Sequence, residues 1–134
     1  MKLDWTDGGY AMELASPREH HLVRDSLVES AHLVDGLPDA ECVARLGRTK
    51  TELQGAVDGW AEFRPRRRLS VAELELVRSC FQETLDFFSD AEYEMRTGWT
   101  REDSAQVLGS LMRDRRRITI DRQWGDPGNP SDGG

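Results

Sequence analysis

Residues 39–49 read DAECVARLGRT, and residues 90–100 read DAEYEMRTGWT. The two stretches share an acidic start and an Arg-x-Gly-x-Thr end, which is typical of a short helix that stops at a glycine and is followed by another helix. Upstream, residues 16–34 align with residues 70–88, and together with the alignment of residues 39–60 to residues 90–111 this gives 12 identities over 41 positions. The chain is therefore predicted to contain two copies of one helical motif.

Each copy is predicted to begin with a short strand, at residues 10–14 in the first copy and 63–69 in the second, because apolar and polar residues alternate there. Pro65 confines the second strand to a sheet edge or delays its start. A long helix follows, opening with a capping box in which a serine stands three residues before a glutamate. The two pairs are Ser16 with Glu19 and Ser70 with Glu73.

Two shorter segments complete each copy. The second helix is predicted from about Asp39 to Leu46 and from Asp90 to Thr97, and it ends at Gly47 or Gly98 in the left-handed conformation. A threonine N-cap two residues after each glycine starts the third helix. Apolar residues at helical spacing predict the buried face of the long helices. They are Val23, Leu27, Ala31 and Val34 in the first copy and Val77, Phe81, Leu85 and Phe88 in the second.

Further elements are predicted outside this motif. The turn signal Thr6-Asp7-Gly8-Gly9 predicts a hairpin that joins a strand at residues 2–6 to the strand at 10–14. The alternating run Ile118-Thr119-Ile120-Asp121 predicts a last strand. Residues 125–134 are rich in Gly, Pro, Ser and Asp, which predicts a disordered tail.

The expected fold is α+β and mainly helical, an internally duplicated β-α-α-α motif with a small, mostly antiparallel sheet. A single domain is expected over residues 1–124, made of two repeats at 10–62 and 63–120. About six helices and three or four strands are expected, with the two long helices facing each other. Because such a chain already holds a dimer-like symmetry, a monomer is favoured.

The charge of the chain is unevenly distributed. The formal net charge of the 134 residues is −7, and residues 1–62 carry 6 Lys/Arg against 12 Asp/Glu. An acidic chain repels nucleic acid and anionic membranes at long range and attracts basic partners. No stretch approaches eighteen apolar residues, so a membrane span is not expected. No apolar run follows Lys2, so a secretory signal is not expected either.

The sequence offers little for catalysis or metal binding. Cys42 and Cys80 lack metal-ligand and CxxC spacing, so two buried thiols in a reducing cytoplasm are expected. His21 and His32 are separated by about 16 Å along a helix, too far to share one ion. The chain has no glycine-rich phosphate loop and no nucleophile elbow. No catalytic residue, metal or cofactor is therefore predicted.

The corner between the second and third helices of the first copy resembles the helix-turn-helix of DNA-binding regulators. An apolar residue precedes the turn glycine by four positions and another follows it by six. These positions are Val43, Gly47 and Leu53. A DNA-reading third helix would offer Arg48, Lys50 and Gln54. Glu52 and Asp58 on the same helix disfavour this reading, and a plain helical corner is the alternative.

Arginine clusters stand at equivalent places in the two copies, each expected just past a third helix and just before a strand. They are Arg64, Arg66, Arg67 and Arg68, and Arg113, Arg115, Arg116 and Arg117. One interpretation is an anion or nucleic-acid contact. The other is stabilisation of a helix C-terminus and protection of an edge strand.

Three functions are expected in order of preference. The first is a small acidic cytoplasmic protein-interaction module, of immunity, antitoxin or regulatory type, that covers a basic partner. The expected contacts are four acidic residues and Trp99, which lies in a turn where an exposed indole would be an interface anchor. The alternative for Trp99 is a local lid over the core. The four acidic residues are Asp35, Asp39, Glu41 and Glu52. The alternative is a helix-turn-helix regulator, and the third is a small-ligand binder or enzyme.

Overall fold

A computed structural model describes residues 1–125, which form three β-strands, six α-helices and one π-helical turn. The strands are β1 (Lys2–Thr6), β2 (Gly9–Glu13) and β3 (Arg66–Leu69). The first three helices are α1 (Pro17–Val34), α2 (Asp39–Leu46) and α3 (Lys50–Gly59). The others are α4 (Val71–Phe87), α5 (Asp90–Thr97) and α6 (Arg101–Ile120), followed by the π-helical turn Asp121–Gly125.

This composition confirms an α+β fold that is mainly helical. Apart from Gly125, the segment predicted to be a disordered tail lies outside the described residues.

The sheet is antiparallel, which agrees with the sequence prediction, and its strand order is β1-β2-β3. Thr6 pairs with Gly9 across a two-residue turn in which Asp7 and Gly8 both have positive φ (51° and 78°). That conformation matches the twist of the hairpin strands and is tolerated by the Asp-Gly pair. β3 lies at the edge and begins immediately after Pro65, which agrees with the restriction that this proline imposes.

Local capping signals fix most helix starts. Complete capping boxes form at Ser70 and Thr49, and Gly47 and Gly98 end α2 and α5 with φ of 78° and 75°. The capping box predicted at Ser16 is wrong, because its side chain makes no cap hydrogen bond.

The glutamate of that predicted box has other partners. The carboxylate of Glu19 accepts hydrogen bonds from the main-chain N–H of Ala15 (2.7 Å) and the N-terminal ammonium of Met1 (2.8 Å). A contact with the start of β1 therefore replaces the local cap.

The core lies between the two long helices and under the sheet. α1 packs against α4, and the predicted apolar stripes are buried, except for the partly buried Ala31. The largest fully buried side chains include Phe81, Tyr93 and Leu111. The hydroxyl of Ser30 on α1 donates to the carbonyl of Cys80 on α4 (3.3 Å), which joins the two helices inside the core.

The prediction of a last strand at residues 118–121 is wrong, because α6 continues to Ile120. Leu108, Leu111 and Ile118 recur at helical spacing and are all buried. α6 packs along β1, where the carboxylate of Asp114 accepts a hydrogen bond from the Leu3 N–H (3.0 Å). Packing of α6 against the sheet thus favours a helix here over the strand that the alternating residues 118–121 predicted.

Between residues 1 and 125, no helix has both the length and the apolar composition needed to cross a bilayer.

Candidate functional site

The acidic residues predicted to contact a partner are largely engaged within the protein. Glu41 on α2 forms an ion pair with Arg45 (3.2 Å). The carboxylate of Asp39 accepts a hydrogen bond from the main-chain N–H of Lys50 (3.0 Å), and the carbonyl of Asp35 accepts one from the Lys50 ammonium (3.2 Å). Among these three residues in the described part of the chain, only the carboxylate of Glu41 is thus paired with a cation.

The corner between α2 and α3 leaves Gln54 exposed and Arg48 and Lys50 partly exposed. The guanidinium of Arg48 lies 3.5 Å from the carboxylate of Glu52, and the Gln54 amide donates to Asp58 (3.0 Å). Hydrogen bonds from the N-cap threonine of α3 lower the pKa of Glu52. An ionised carboxylate on this face would repel the phosphates of an approaching duplex.

The first arginine cluster lies on and just before β3. Arg66 pairs with Glu13 on the outer face of the sheet (3.4 Å). The guanidinium of Arg67 lies 4.0 Å from the ring centroid of Trp60 and donates to the carbonyl of Gly59, the last residue of α3, and to that of Glu62. Arg68 donates to a hydroxyl and a carbonyl at the hairpin turn. Within residues 1–125, neither Arg67 nor Arg68 is paired with a carboxylate.

The second arginine cluster lies inside α6, so its predicted place between a helix and a strand is wrong. Arg115 pairs with Glu75 of α4 (2.6 Å) and Arg117 lies 3.8 Å from Asp114, while Arg116 is exposed. β3 forms one edge of the sheet and α6 packs along β1 at the other. The two clusters therefore do not combine into one basic face.

A groove of about 360 Å³ lies beside β3, between α3 and the start of α4, and is called the β3 groove below. It brings together Arg48 of the helix-turn-helix corner with Arg67 and Arg68 of the first arginine cluster. Glu52 and Glu73 also line it. The groove thus brings residues of the helix-turn-helix hypothesis and of the first arginine cluster to one surface.

Of the two interpretations of Trp99, the lid over the core is confirmed and the exposed anchor is wrong, because only 7% of the residue is accessible. The indole N–H donates to the carbonyl of Arg18 (3.3 Å), and the guanidinium of Arg18 covers the ring at 4.1 Å from its centroid. Trp99 therefore closes the core between α5 and α6 against the start of α1.

His20 is a core residue and not a surface histidine, with 1% of its area accessible. Its imidazole stacks on the Trp60 indole at a centroid distance of 5.6 Å. Burial, together with the positive charge of Arg67 nearby, lowers the pKa of His20. Within residues 1–125, no three His, Cys, Asp or Glu side chains are grouped so that they could hold a metal ion.

Both cysteines are free and buried, as the sequence predicted. Burial raises the pKa of the Cys80 thiol to about 12 and also raises the pKa of Cys42. Because the thiolate is the nucleophilic form, both groups are poor nucleophiles in the folded protein.

Two adjoining hollows lie on the surface formed by α4, α5 and α6, with volumes of about 480 and 390 Å³. Arg101 and Ala105 line both hollows, which therefore form one surface, called the α4–α6 hollow below. Its apolar lining includes Leu85, Leu108 and Met112. Four carboxylates surround it: Asp86, Asp90, Glu94 and Glu102.

The α4–α6 hollow has one cation, and that cation is held by the protein. The Arg101 guanidinium donates to the carbonyl of Leu85 and lies 3.3 Å from the Asp90 carboxylate. Glu94 and Glu102 are exposed and form no ion pair with any residue from 1 to 125. Most of the acidic rim therefore has no neutralising cation within residues 1–125.

Sequence reasoning missed this surface. The available signal was the pair Asp90 and Glu94, whose spacing of four residues places both on one face of α5. Asp86 lies on α4, beyond a helix break, and joins them only through packing. The apolar residues beside them come from α4 and α6, so only the packing of these helices shows that the acids surround an apolar hollow.

Comparisons of this chain with protein-family models, with curated proteins and with solved structures find no match.

Proposed function

We propose that this protein is a small acidic interaction module that binds a basic partner protein through the α4–α6 hollow, as an immunity, antitoxin or regulatory protein would. The observation that carries the proposal is the composition of this surface: an apolar lining within a rim of four carboxylates and one cation. Protein interfaces commonly combine an apolar centre with a polar rim, and complementary charge steers the partner.

The chemistry of the hollow favours a segment that carries lysine or arginine beside apolar residues. Such side chains lay their methylene stems on apolar surface and place their charge at its border. Here the stems would cover Leu108 and Met112, and the charged ends would reach Glu94 and Glu102. Arg101 offers little opposition, since Asp90 and the Leu85 carbonyl already occupy its guanidinium.

The proposal includes an internal duplication, a monomeric state and a reducing cytoplasmic environment. We infer an internal duplication from the repeated order of elements, the equal lengths of α2 and α5 at 8 residues, and the matching left-handed glycines that follow them. A monomer in a reducing cytoplasm fits a chain with two such halves and two buried free thiols. Size-exclusion chromatography with light scattering tests the monomer.

Affinity capture from a lysate of the native host, repeated at low and moderate salt and with nuclease, tests the binding surface. Three baits are compared: the natural protein, a hollow variant and a matched control. The hollow variant combines Glu94→Lys with Glu102→Gln. The control combines Asp35→Lys with Glu62→Gln, which changes the net charge equally at exposed sites away from the hollow. Thermal unfolding verifies that all three baits are folded.

The comparison between baits decides the outcome. A nuclease-resistant protein that the natural bait and the control retain, and that the hollow variant loses, supports the proposal. A partner that all three baits retain places the interface elsewhere and refutes it. Recovery of nucleic acid alone, or of nothing, also refutes it, and the latter result directs attention to a small ligand or a substrate.

A second candidate function is DNA binding through the α2–α3 corner. The meeting of Arg48 with Arg67 and Arg68 in the β3 groove favours it. The exposure of Val43 (43%) counts against it, because a helix-turn-helix buries this position in its corner. Fluorescence anisotropy with a labelled random duplex at 50 and 200 mM salt tests this candidate. Binding that falls steeply with salt would favour the regulator.

A further inference from the structure

The free side of β3 has main-chain groups without partners. Leu14 N–H donates to Pro65 C=O (2.8 Å), and hydrogen-bonded and non-bonded pairs alternate along an antiparallel ladder. The hydrogen-bonded positions of β3 are therefore those opposite Met12 and Tyr10. The N–H and C=O groups of Arg66 and Arg68 point away from β2, and no hydrogen bond joins them to residues 1–125.

The opposite edge of the sheet is covered. There α6 packs along β1, and Asp114 accepts the outward N–H of Leu3. Beside β3 lies the β3 groove, which α3 and the start of α4 border. No residue of β1 or β2 lines this groove, so it is on the side of β3 away from its strand partner.

The groove has room for main chain. Gly55 and Gly59 of α3 line it, and a Cβ atom added at either glycine would meet nothing within 4 Å. Leu69, Leu76 and Val77 supply apolar surface. An extended segment lying here would have β3 on one side and the glycine face of α3 on the other.

The arginines of the β3 groove favour an acidic occupant. Arg48, Arg67 and Arg68 line the groove, and the last two have no carboxylate partner within residues 1–125. Glu52 and Glu73 also line the groove, but main-chain N–H groups in their capping boxes hold both carboxylates, and Glu52 is paired with Arg48 (3.5 Å). A second copy pairing through β3 would place arginines opposite arginines, and like charges opposite each other destabilise a ladder. An acidic segment is favoured instead.

We propose that the free edge of β3 binds an extended acidic segment of another protein by strand addition. Hydrogen bonds to the main chain of Arg66 and Arg68 hold the segment, and its carboxylates lie near the guanidinium groups along the groove. This surface is separate from the α4–α6 hollow, so it stands whether or not that hollow binds a basic partner.

A fluorescein-labelled peptide of alternating glutamate and valine is the probe, and fluorescence anisotropy measures its Kd. Arg66→Ala and Arg66→Pro form a matched pair, because both remove the guanidinium and only proline removes the outward N–H. The N–H of residue 66 takes no part in the pairing with β2, and the preceding Pro65 is compatible with proline at 66. Thermal unfolding verifies the fold.

Proline is expected to weaken binding by about 5-fold beyond alanine, the effect of one hydrogen bond. A peptide with lysine in place of glutamate should bind at least about 10-fold more weakly. The Glu94→Lys/Glu102→Gln variant should bind the acidic probe within about 2-fold of the natural protein or more tightly, because it is less negative at long range.

Three results would overturn strand addition: no binding of the probe, equal Kd values for alanine and proline, or equal binding of the lysine peptide. If Arg66→Pro does not fold, hydrogen exchange of the natural protein decides. Bound probe should slow the exchange of the Arg66 and Arg68 amides, and unchanged exchange at both would refute the proposal.

Discussion

Gly47 and Gly55 lie at a helix end and inside the next helix, and replacing each with alanine should change stability in opposite directions. Gly47 has φ of 78°, a conformation that costs a residue with a Cβ atom about 1–2 kcal/mol. The reduced entropy of the unfolded chain returns about 0.4–1 kcal/mol. Gly47→Ala should therefore destabilise the protein by about 1 kcal/mol.

At Gly55 the same change should stabilise. This residue lies inside α3, and an added Cβ atom would meet nothing within 4 Å. Alanine is favoured over glycine in a helix interior by about 0.5–1 kcal/mol. A folded unit of this size gains or loses about 4 °C in Tm per kcal/mol. The two variants should thus differ by about 6–8 °C.

Calorimetry and urea unfolding measure both variants, with Gly98→Ala and Gly47→Asn as controls. Gly98 has φ of 75° after α5, so its alanine variant should lose as much stability as Gly47→Ala. Asparagine tolerates the left-handed conformation and should lose less at position 47. If alanine stabilises at both positions 47 and 55, the left-handed end of α2 does not exist in solution and the reasoning fails.

Two further predictions concern buried groups. The lowered pKa of His20 means that the unfolded chain takes up a proton near pH 6.5 that the folded protein resists. The free energy of unfolding should therefore fall as the pH drops from 7 to 5, and His20→Phe should flatten this dependence in urea titrations. If the variant depends on pH as steeply as the natural protein, groups other than His20 cause the dependence. Cys42 and Cys80 should react slowly with a thiol reagent such as DTNB in the native protein and stoichiometrically in urea, since both are buried. Rapid reaction of the native protein would contradict this burial.

Signals that act within a few residues determined the elements from sequence. The Asp-Gly turn, the N-caps Ser70 and Thr49, and the glycines after α2 and α5 each control the backbone through a local conformation or hydrogen bond. Such effects depend little on the rest of the chain. They therefore gave the bounds of α2 and α5 and the antiparallel hairpin before any tertiary contact was known.

Competition from distant residues explains where the local signals failed. The Ser16 capping box does not form, because Glu19 binds the N-terminal ammonium and the Ala15 amide. Ile118 belongs to a helix and not to a strand, because its side chain continues the buried face of α6. In both places a partner from elsewhere in the fold outweighs a pattern of four residues.

The candidate surfaces were decided by the tertiary structure. Sequence placed arginines and acids along the chain, but long-range packing buried Trp99, separated the arginine clusters to opposite sheet edges, and placed Arg48 beside Arg67. Ion pairing depends on the distance between two charged side chains, and the spacing of residues in sequence predicts that distance only within one helix. Which acids remain unneutralised around an apolar hollow depends on how α4, α5 and α6 pack, and the free edge of β3 depends on α6 covering the other edge of the sheet.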